Sequence, residues 1–395
     1  MAHSLVFFPD YRSANPYQRL LYEHAGRALY PEAGTIAQAL ARQRQAPFGR
    51  VIFHLHWEDA VYRNEPSETA AWAAAQTFLS QLELFLDRGG QLVWTVHNVA
   101  PHDGRYLPVH RALCDKLRLL ADLVQVHNWT GVAFLRDRLG IDPARVALVP
   151  HGSYRPLHPV LGHPPAASRA ALGLDEAQRV LLLFGRLGAY KGAAELLAAF
   201  GALAVDGLWL LIAGKQIDSF ADVLAGLPPS ARRRVVVRDG FIAEAEVPTL
   251  FHAADMVALP YRAILTSGTA FLALSQERPV LAPALPSLVE LLEDGRDALL
   301  YAPGSPLALQ RALQRLATLE EGELAAMRLA ARAKAELHDW RTVGRMWDGL
   351  YAGLVAALRP QRTLATAPPI QAPHPSMTAA DEATPAAPPS AADAA

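Results

Sequence analysis

The segment Phe184-Gly185-Arg186-Leu187-Gly188-Ala189-Tyr190-Lys191-Gly192 combines two cations with three glycines, directly after the apolar run Val180 to Leu183 and before an alanine-rich helical pattern. That order reads as strand, glycine-bearing turn and helix start. In such a turn, backbone N–H groups and the positive end of the helix dipole face an anion, and Arg186 and Lys191 add fixed charge beside it. A diphosphate leaving group suits the site. The spacing is neither the Walker pattern, which needs Gly-Lys followed by Ser or Thr, nor G-x-G-x-x-G. A second candidate lies in the run Leu259 to Leu274, where Thr266-Ser267-Gly268-Thr269 follows a strand and opens a helix. Its hydroxyls and free N–H groups could meet the same diphosphate from another side; ordinary capping by Thr266 or Ser267 is the alternative reading.

The first half of the chain concentrates other chemistry at strand ends. His54, His56, Glu58 and Asp59 leave the second expected strand, His97, His102 and Asp103 the third, and His127 and Asn128 the fourth. Only fourteen histidines occur in all, so this is not the scatter of surface residues. A carboxylate near a partly dry cleft has its proton affinity raised toward working pH, which makes Glu58 or Asp59 the first choice of general base. His102 with Asp103 is the competing pair. The spacing His54-x-His56-x-Glu58 could also set three metal ligands on one strand face. Tyr11, Arg12, Tyr17 and Arg19 follow the first strand, where Tyr11 and Tyr17, with His56, are candidates to line an acceptor groove.

These residues need a scaffold that gathers strand ends. At 395 residues the chain exceeds what one core usually serves, which implies two domains. It is 51% apolar and 19% charged with a formal net charge of −1, so no global field draws it to nucleic acid. The lone cysteine, Cys114, excludes an internal disulfide and fits a buried thiol in a reducing cytoplasm. No run reaches the roughly 18 to 20 apolar residues of a spanning helix, so work on a lipid would take place from the membrane surface.

Short β-branched runs alternate with helical patterns throughout, as in parallel α/β folds. Strands are expected at Ser4 to Phe8, Arg50 to His56, Gln91 to His97, Leu123 to His127 and Ala147 to Pro150. A second series comprises Val180 to Phe184, Trp209 to Ala213, Arg234 to Asp239, Met256 to Pro260, Pro279 to Ala282 and Ala298 to Tyr301. Helices are expected at Ser67 to Leu86, Val109 to Leu120 and Trp340 to Leu358. The expected layout is an N-terminal domain over 1–155, a linker over 156–170, a C-terminal domain over 171–340, a helix over 341–359 and a disordered Pro- and Ala-rich tail over 360–395. Ligands of doubly wound sheets bind beyond the carboxyl ends of the strands, in a cleft shared by both halves.

The C-terminal half resembles the GT4-like group of glycosyltransferases, whose GT-B fold sets two Rossmann-like, doubly wound parallel-sheet domains across a cleft. The resemblance rests on the two anion turns, Leu211-Ile212-Ala213-Gly214, Phe251-His252-Ala253-Ala254-Asp255 and the run from Arg278 through Glu290 to Gly295. Retaining members carry two glutamates eight positions apart; here Ile264 and Leu272 stand there, so that template does not transfer. Pro260-Tyr261-Arg262-x-Ile264-Leu265-Thr266-Ser267-Gly268-Thr269 is instead similar to the inverting bacterial β-1,4-mannosyltransferases of exopolysaccharide assembly, of the xanthan type. Asn15-Pro16-Tyr17-Gln18, His54 to Glu58 and Thr95 to Asp103 extend that similarity into the first half. The resemblance implies an inverting hexosyltransferase that takes mannose from GDP-mannose to a saccharide or polyprenyl-diphosphate-linked acceptor, without a metal or other cofactor. It implies a cytoplasmic enzyme that meets the inner face of the membrane, with His97 on the donor sugar, Glu290 on the nucleotide and Gly185, Arg186, Lys191, Ser267, Gly268 and Thr269 around the diphosphate. A nucleotide-sugar 2-epimerase of the same fold and a non-catalytic sugar-binding subunit are the alternatives.

Overall fold

The computed structural model describes residues 3–357 except 14, 46–49, 102, 159, 161–164, 175–178 and 204–206; the expected tail lies outside the described residues. Two six-stranded parallel sheets form the frame. The first contains β1 (Ser4–Phe8), β2 (Pro31–Ala33), β3 (Val51–Leu55), β4 (Gln91–Thr95), β5 (Leu123–Val126) and β6 (Val146–Leu148), in the order β2-β1-β3-β4-β5-β6. The second contains β7 (Arg179–Phe184), β8 (Leu208–Gly214), β9 (Val235–Asp239), β10 (Met256–Ala258), β11 (Val280–Pro283) and β12 (Ala298–Tyr301), in the order β12-β11-β10-β7-β8-β9. Helices cover both faces, so central strands read as unbroken apolar runs: every residue of β3 and β4 is buried.

Strand order reverses between β1 and β3 in the first sheet and between β7 and β10 in the second. Loops leaving two such neighbours diverge to opposite faces and open a crevice. Both crevices meet in one cavity of about 460 Å3, lined by loops that follow β1, β3, β4, β7 and β10. The fold thereby brings the strand-end residues of both halves to a common space.

The halves are tied together on several sides. The Pro165–Ala171 helix, which begins in the expected linker, packs into the C-terminal domain: buried Arg169 pairs at 2.7 Å with buried Asp255, which also meets Arg328 at 2.7 Å. The final helix, Trp340–Ala356, crosses back to the first domain and lies on the Pro16–His24 helix. Contact there is close at Gly344, where a Cβ would stand 2.3 Å from the His24 carbonyl oxygen. Trp347 and Tyr351 sink into the core, and Asp348 accepts the Gly26 N–H at 2.7 Å. Arg19 and Glu244 bridge the domains at 2.6 Å on another flank. Among the described residues, no helix is long and apolar enough to cross a membrane.

Candidate active site

On the C-terminal side, β7 ends at Phe184 and the chain turns through Gly185 into the short helical turn Ala189–Lys191. Gly192 has φ +67° and lies so near β10 that a Cβ would stand 2.0 Å from the Pro260 carbonyl oxygen; only glycine fits. That approach sets the turn after β7 and the loop after β10 side by side. Lys191 is buried yet lines the cavity, its Nζ donating to the Phe184 carbonyl at 2.8 Å and to Thr269 Oγ1 at 3.3 Å, 5.7 Å from the centre of the Tyr261 ring. Ser267 caps the Gly268–Ser275 helix through Ala270 N and bonds to the Tyr261 hydroxyl at 2.9 Å. Capping therefore occupies the Ser267 side chain, while the N–H groups of Gly268 and Thr269 remain at the cavity with no backbone partner among the described residues. Arg186 is exposed and also lines the cavity. Ile264 and Leu272 line it too, so the positions that carry carboxylates in retaining relatives present hydrocarbon.

The opposite wall comes from the first domain. His97 lines the cavity with its ring stacked on Trp57 at 4.1 Å, and its Nε2 meets His56 Nδ1 at 3.1 Å. Behind it stands a column of buried histidines that crosses the carboxyl edge of the sheet. Ring centres lie 4.0 Å apart for His54 and His56, 5.4 Å for His56 and His97, 5.3 Å for His97 and His127, and 5.5 Å for His127 and His151. Tyr22 bonds both His54 and His56, and Tyr351 of the final helix bonds His54. Burial, before any mutual repulsion, holds His54, His56, His97 and His151 well below the ordinary histidine range and brings His127 to about 4. The column is neutral. Tyr17 packs its ring against His97, His127 and His151, and its buried hydroxyl has no hydrogen-bond partner among the described residues.

Several expected residues do reach the cavity: Tyr11, Tyr17, Asp59, His97, Asp103, Gly185, Arg186, Lys191, Ser267, Gly268 and Thr269 all line it. Asp59 is mostly buried, bonded by Arg63 at 3.3 Å, and burial raises its carboxyl above the usual range against the pull of that guanidinium. Asp103 is exposed and accepts the Arg105 N–H. His102 lies outside the described residues.

Three expected residues do not reach it. His56 is wholly buried behind His97, so it offers no surface to an acceptor. Glu58 points into the domain, where Trp94 Nε1 donates to it at 3.1 Å. The reason is Trp57, whose φ of 26° ends the strand alternation and turns the next side chain inward. Glu290 lies beyond the cavity altogether. Its carboxylate accepts the N–H groups of Trp129 and Thr130, at 2.7 and 2.6 Å, while Asn128 caps Gly131, so it closes the first turn of the Trp129–Asp137 helix across the domain boundary.

The inward turn of Glu58 also removes it from any metal set with His54 and His56. Among the described residues, Glu58, His110 and Cys114 are the one group whose ligand atoms lie within 4.8 Å of one another. Their geometry does not suit a metal. Cys114 Sγ is 3.6 Å from His110 Nε2 and 3.9 Å from Nδ1, so it stands off both ring lone-pair directions, and Tyr62 already occupies Nδ1 at 3.1 Å.

Sequence reasoning gave no site role to Trp57, Asn98, His151, Tyr154, Tyr190 and Tyr261, all of which line the cavity. A signal existed for His151 and Tyr154, which stand just past the end of the fifth expected strand, much as His97 ends the third. Trp57 could not be found from pattern, because its place depends on its backbone turn.

Comparison with known proteins agrees with this geometry. Residues 178–318 match the family model described as glycosyl transferases group 1. A GDP-mannose:glycolipid 4-beta-D-mannosyltransferase of Xanthomonas campestris pv. campestris is 28% identical over 340 residues, covering 85% of this chain and 87% of the relative. A D-inositol 3-phosphate glycosyltransferase of Segniliparus rotundus is 30% identical over 295 residues, covering 70% of this chain and 63% of the relative. Among solved structures, Anabaena HepE in complex with UDP superposes with a TM-score of 0.64 at 16% identity, covering 89% of this chain and 100% of that one. A glycosyltransferase from Rickettsia africae superposes with a TM-score of 0.66 at 12% identity, covering 90% and 99%. Those two likenesses speak for the fold, and the sequence matches speak for the catalytic family. The chain is a glycosyltransferase of the GT-B fold, with residues 178–318 of its C-terminal domain similar to the group 1 glycosyl transferases.

Proposed function

We propose that this enzyme transfers mannose from GDP-mannose, with inversion, to a glycolipid acceptor at a membrane surface. The donor and acceptor classes follow the mannosyltransferase relative, which matches both halves of the chain. One observation carries the site reading: Lys191, buried against Phe184, faces the cavity beside Thr269 and the free N–H groups of the Gly268–Ser275 helix. In this reading, ammonium, Arg186 guanidinium and helix N-terminus together meet the diphosphate as charge develops on it. No bound cation is then needed for the leaving group, and EDTA is expected to leave the transfer rate unchanged.

Inversion is a single in-line displacement: the acceptor oxygen bonds the anomeric carbon as the bond to the diphosphate oxygen breaks, and a base takes the hydroxyl proton. Asp59 is the proposed base, since it lines the cavity opposite the diphosphate turns and burial raises its proton affinity. His97, neutral and fixed by His56 and Trp57, is placed to hydrogen-bond the donor sugar.

The test is incubation of the purified chain with GDP-mannose and a lipid-linked saccharide, with the anomeric configuration of the product read by NMR. A new β-linked mannose supports the reading. Conversion of the donor in the absence of acceptor would point to an epimerase, and saturable donor binding without turnover to a binding subunit. UDP-glucose and GDP-glucose in parallel arms test the base and the sugar separately.

A further inference from the structure

Between β6 and the Pro165–Ala171 helix, residues His151 to Tyr154 are pinned to the donor-binding half. Tyr154 N donates to Ser275 Oγ at 2.8 Å, and the His151 ring stacks on Phe271 at 4.6 Å, both partners lying on the Gly268–Ser275 helix. Ser153 N donates to the His338 carbonyl at 2.8 Å, and Trp340 Nε1 donates to the Ser153 carbonyl at 2.6 Å. This short stretch follows a strand of the first domain and is held by the second.

Its two polar side chains arrive at the start of that helix. A methyl group added to Gly268 would lie 3.1 Å from the Tyr154 hydroxyl and 3.9 Å from His151 Nε2. His151 Nδ1 lies 2.7 Å from the Gly152 carbonyl and donates its proton there, which leaves Nε2 as an acceptor. The Tyr154 hydroxyl reaches that acceptor only at 3.4 Å, longer than a good O–H···N contact. A buried hydroxyl with one weak partner, set beside two free N–H groups at the positive end of a helix, is a donor available to an anion.

We propose that Tyr154 is a further ligand of the donor diphosphate, its hydroxyl turning from His151 to a phosphate oxygen when the nucleotide binds. The proposal rests on the donor-site reading above. Tyrosine adds a neutral donor to a site that already holds two cations, so its contribution goes to recognition of the second phosphate rather than to net charge.

The experiment compares GDP with GMP, and UDP with UMP, by calorimetric titration of the full chain and its variants, with melting temperature recorded for each. Tyr154→Phe keeps the ring and the backbone bond to Ser275, so its melting temperature should match the parent. Its preference for diphosphate over monophosphate should fall about tenfold or more, since a hydrogen bond to a charged group is lost, while monophosphate affinity stays put. An unchanged preference in a folded Tyr154→Phe chain overturns the proposal. Lys191→Ala separates the two levels: if it abolishes the preference while Tyr154→Phe does not, only Tyr154 is excluded. If neither variant alters the preference, or the parent chain binds none of the four nucleotides, the donor-site reading falls and the proposal with it.

Discussion

Glu58 and Asp59 are adjacent carboxylates that the fold sends in opposite directions, one into the domain and one to the cavity. Asp59→Asn is expected to lower the turnover number by roughly two to four orders of magnitude, as loss of a general base does, with the donor affinity retained. Glu58→Gln keeps an acceptor for Trp94 and should transfer sugar at close to the parent rate. Its effect belongs to stability. Burial raises the Glu58 carboxyl above the ordinary glutamate value of 4.5, so its share of stability is present below that value and is lost as pH rises through the raised one. Melting curves from pH 4 to pH 8 should therefore show Glu58→Gln gaining on the parent as pH increases. At this scale the sequence told residue type and strand-end position, which was enough to place His97 and Asp59 at the cavity. It did not tell direction at Glu58, because direction turned on one left-handed residue, Trp57. Nor did it tell the partner of Glu290, which lies 160 positions away at the start of another helix.

The elements were legible where burial on both faces demands a continuous apolar run. Eleven of the twelve strands were expected from their apolar runs; the missing one, Pro31-Glu32-Ala33, has none and is a strand only because β1 lies alongside it. The helix beginning at Glu68 starts where Ser67 caps Ala70 N, a signal local enough to read. Connections between elements were not legible, and two of them invite tests. Glu290→Ala leaves the N–H groups of Trp129 and Thr130 without their partner, and a lost helix cap costs about 1 kcal/mol. Because this cap spans the two domains, urea titration should show that loss together with faster protease cleavage at the Trp129–Asp137 helix. Gly192→Ala forces a methyl group into the Pro260 carbonyl and must part the two anion turns. Donor binding should be lost in a chain that still melts cooperatively.

The five neutral, buried histidines of the column make the whole fold acid-sensitive. In the unfolded chain each takes a proton near pH 6.5, whereas in the folded one His127 resists to about pH 4 and His54, His56, His97 and His151 are also held well below 6.5. Stability from this source is complete above pH 6.5 and is lost as pH falls below it, by up to about 1.4 kcal/mol per pH unit for each histidine. Denaturant titrations between pH 7.5 and pH 5 should show a steep decline, and His127→Gln should shed one proton from its slope. The final helix has another consequence, for anyone recombining this enzyme with a relative to change its sugar. Residues 340–356 are encoded after the C-terminal half but complete the core of the N-terminal half through Trp347 and Tyr351. A chimera cut once in the linker would therefore bring a foreign helix to Tyr22 and His54. Two junctions are required, so that the terminal helix is inherited from the same parent as the N-terminal domain.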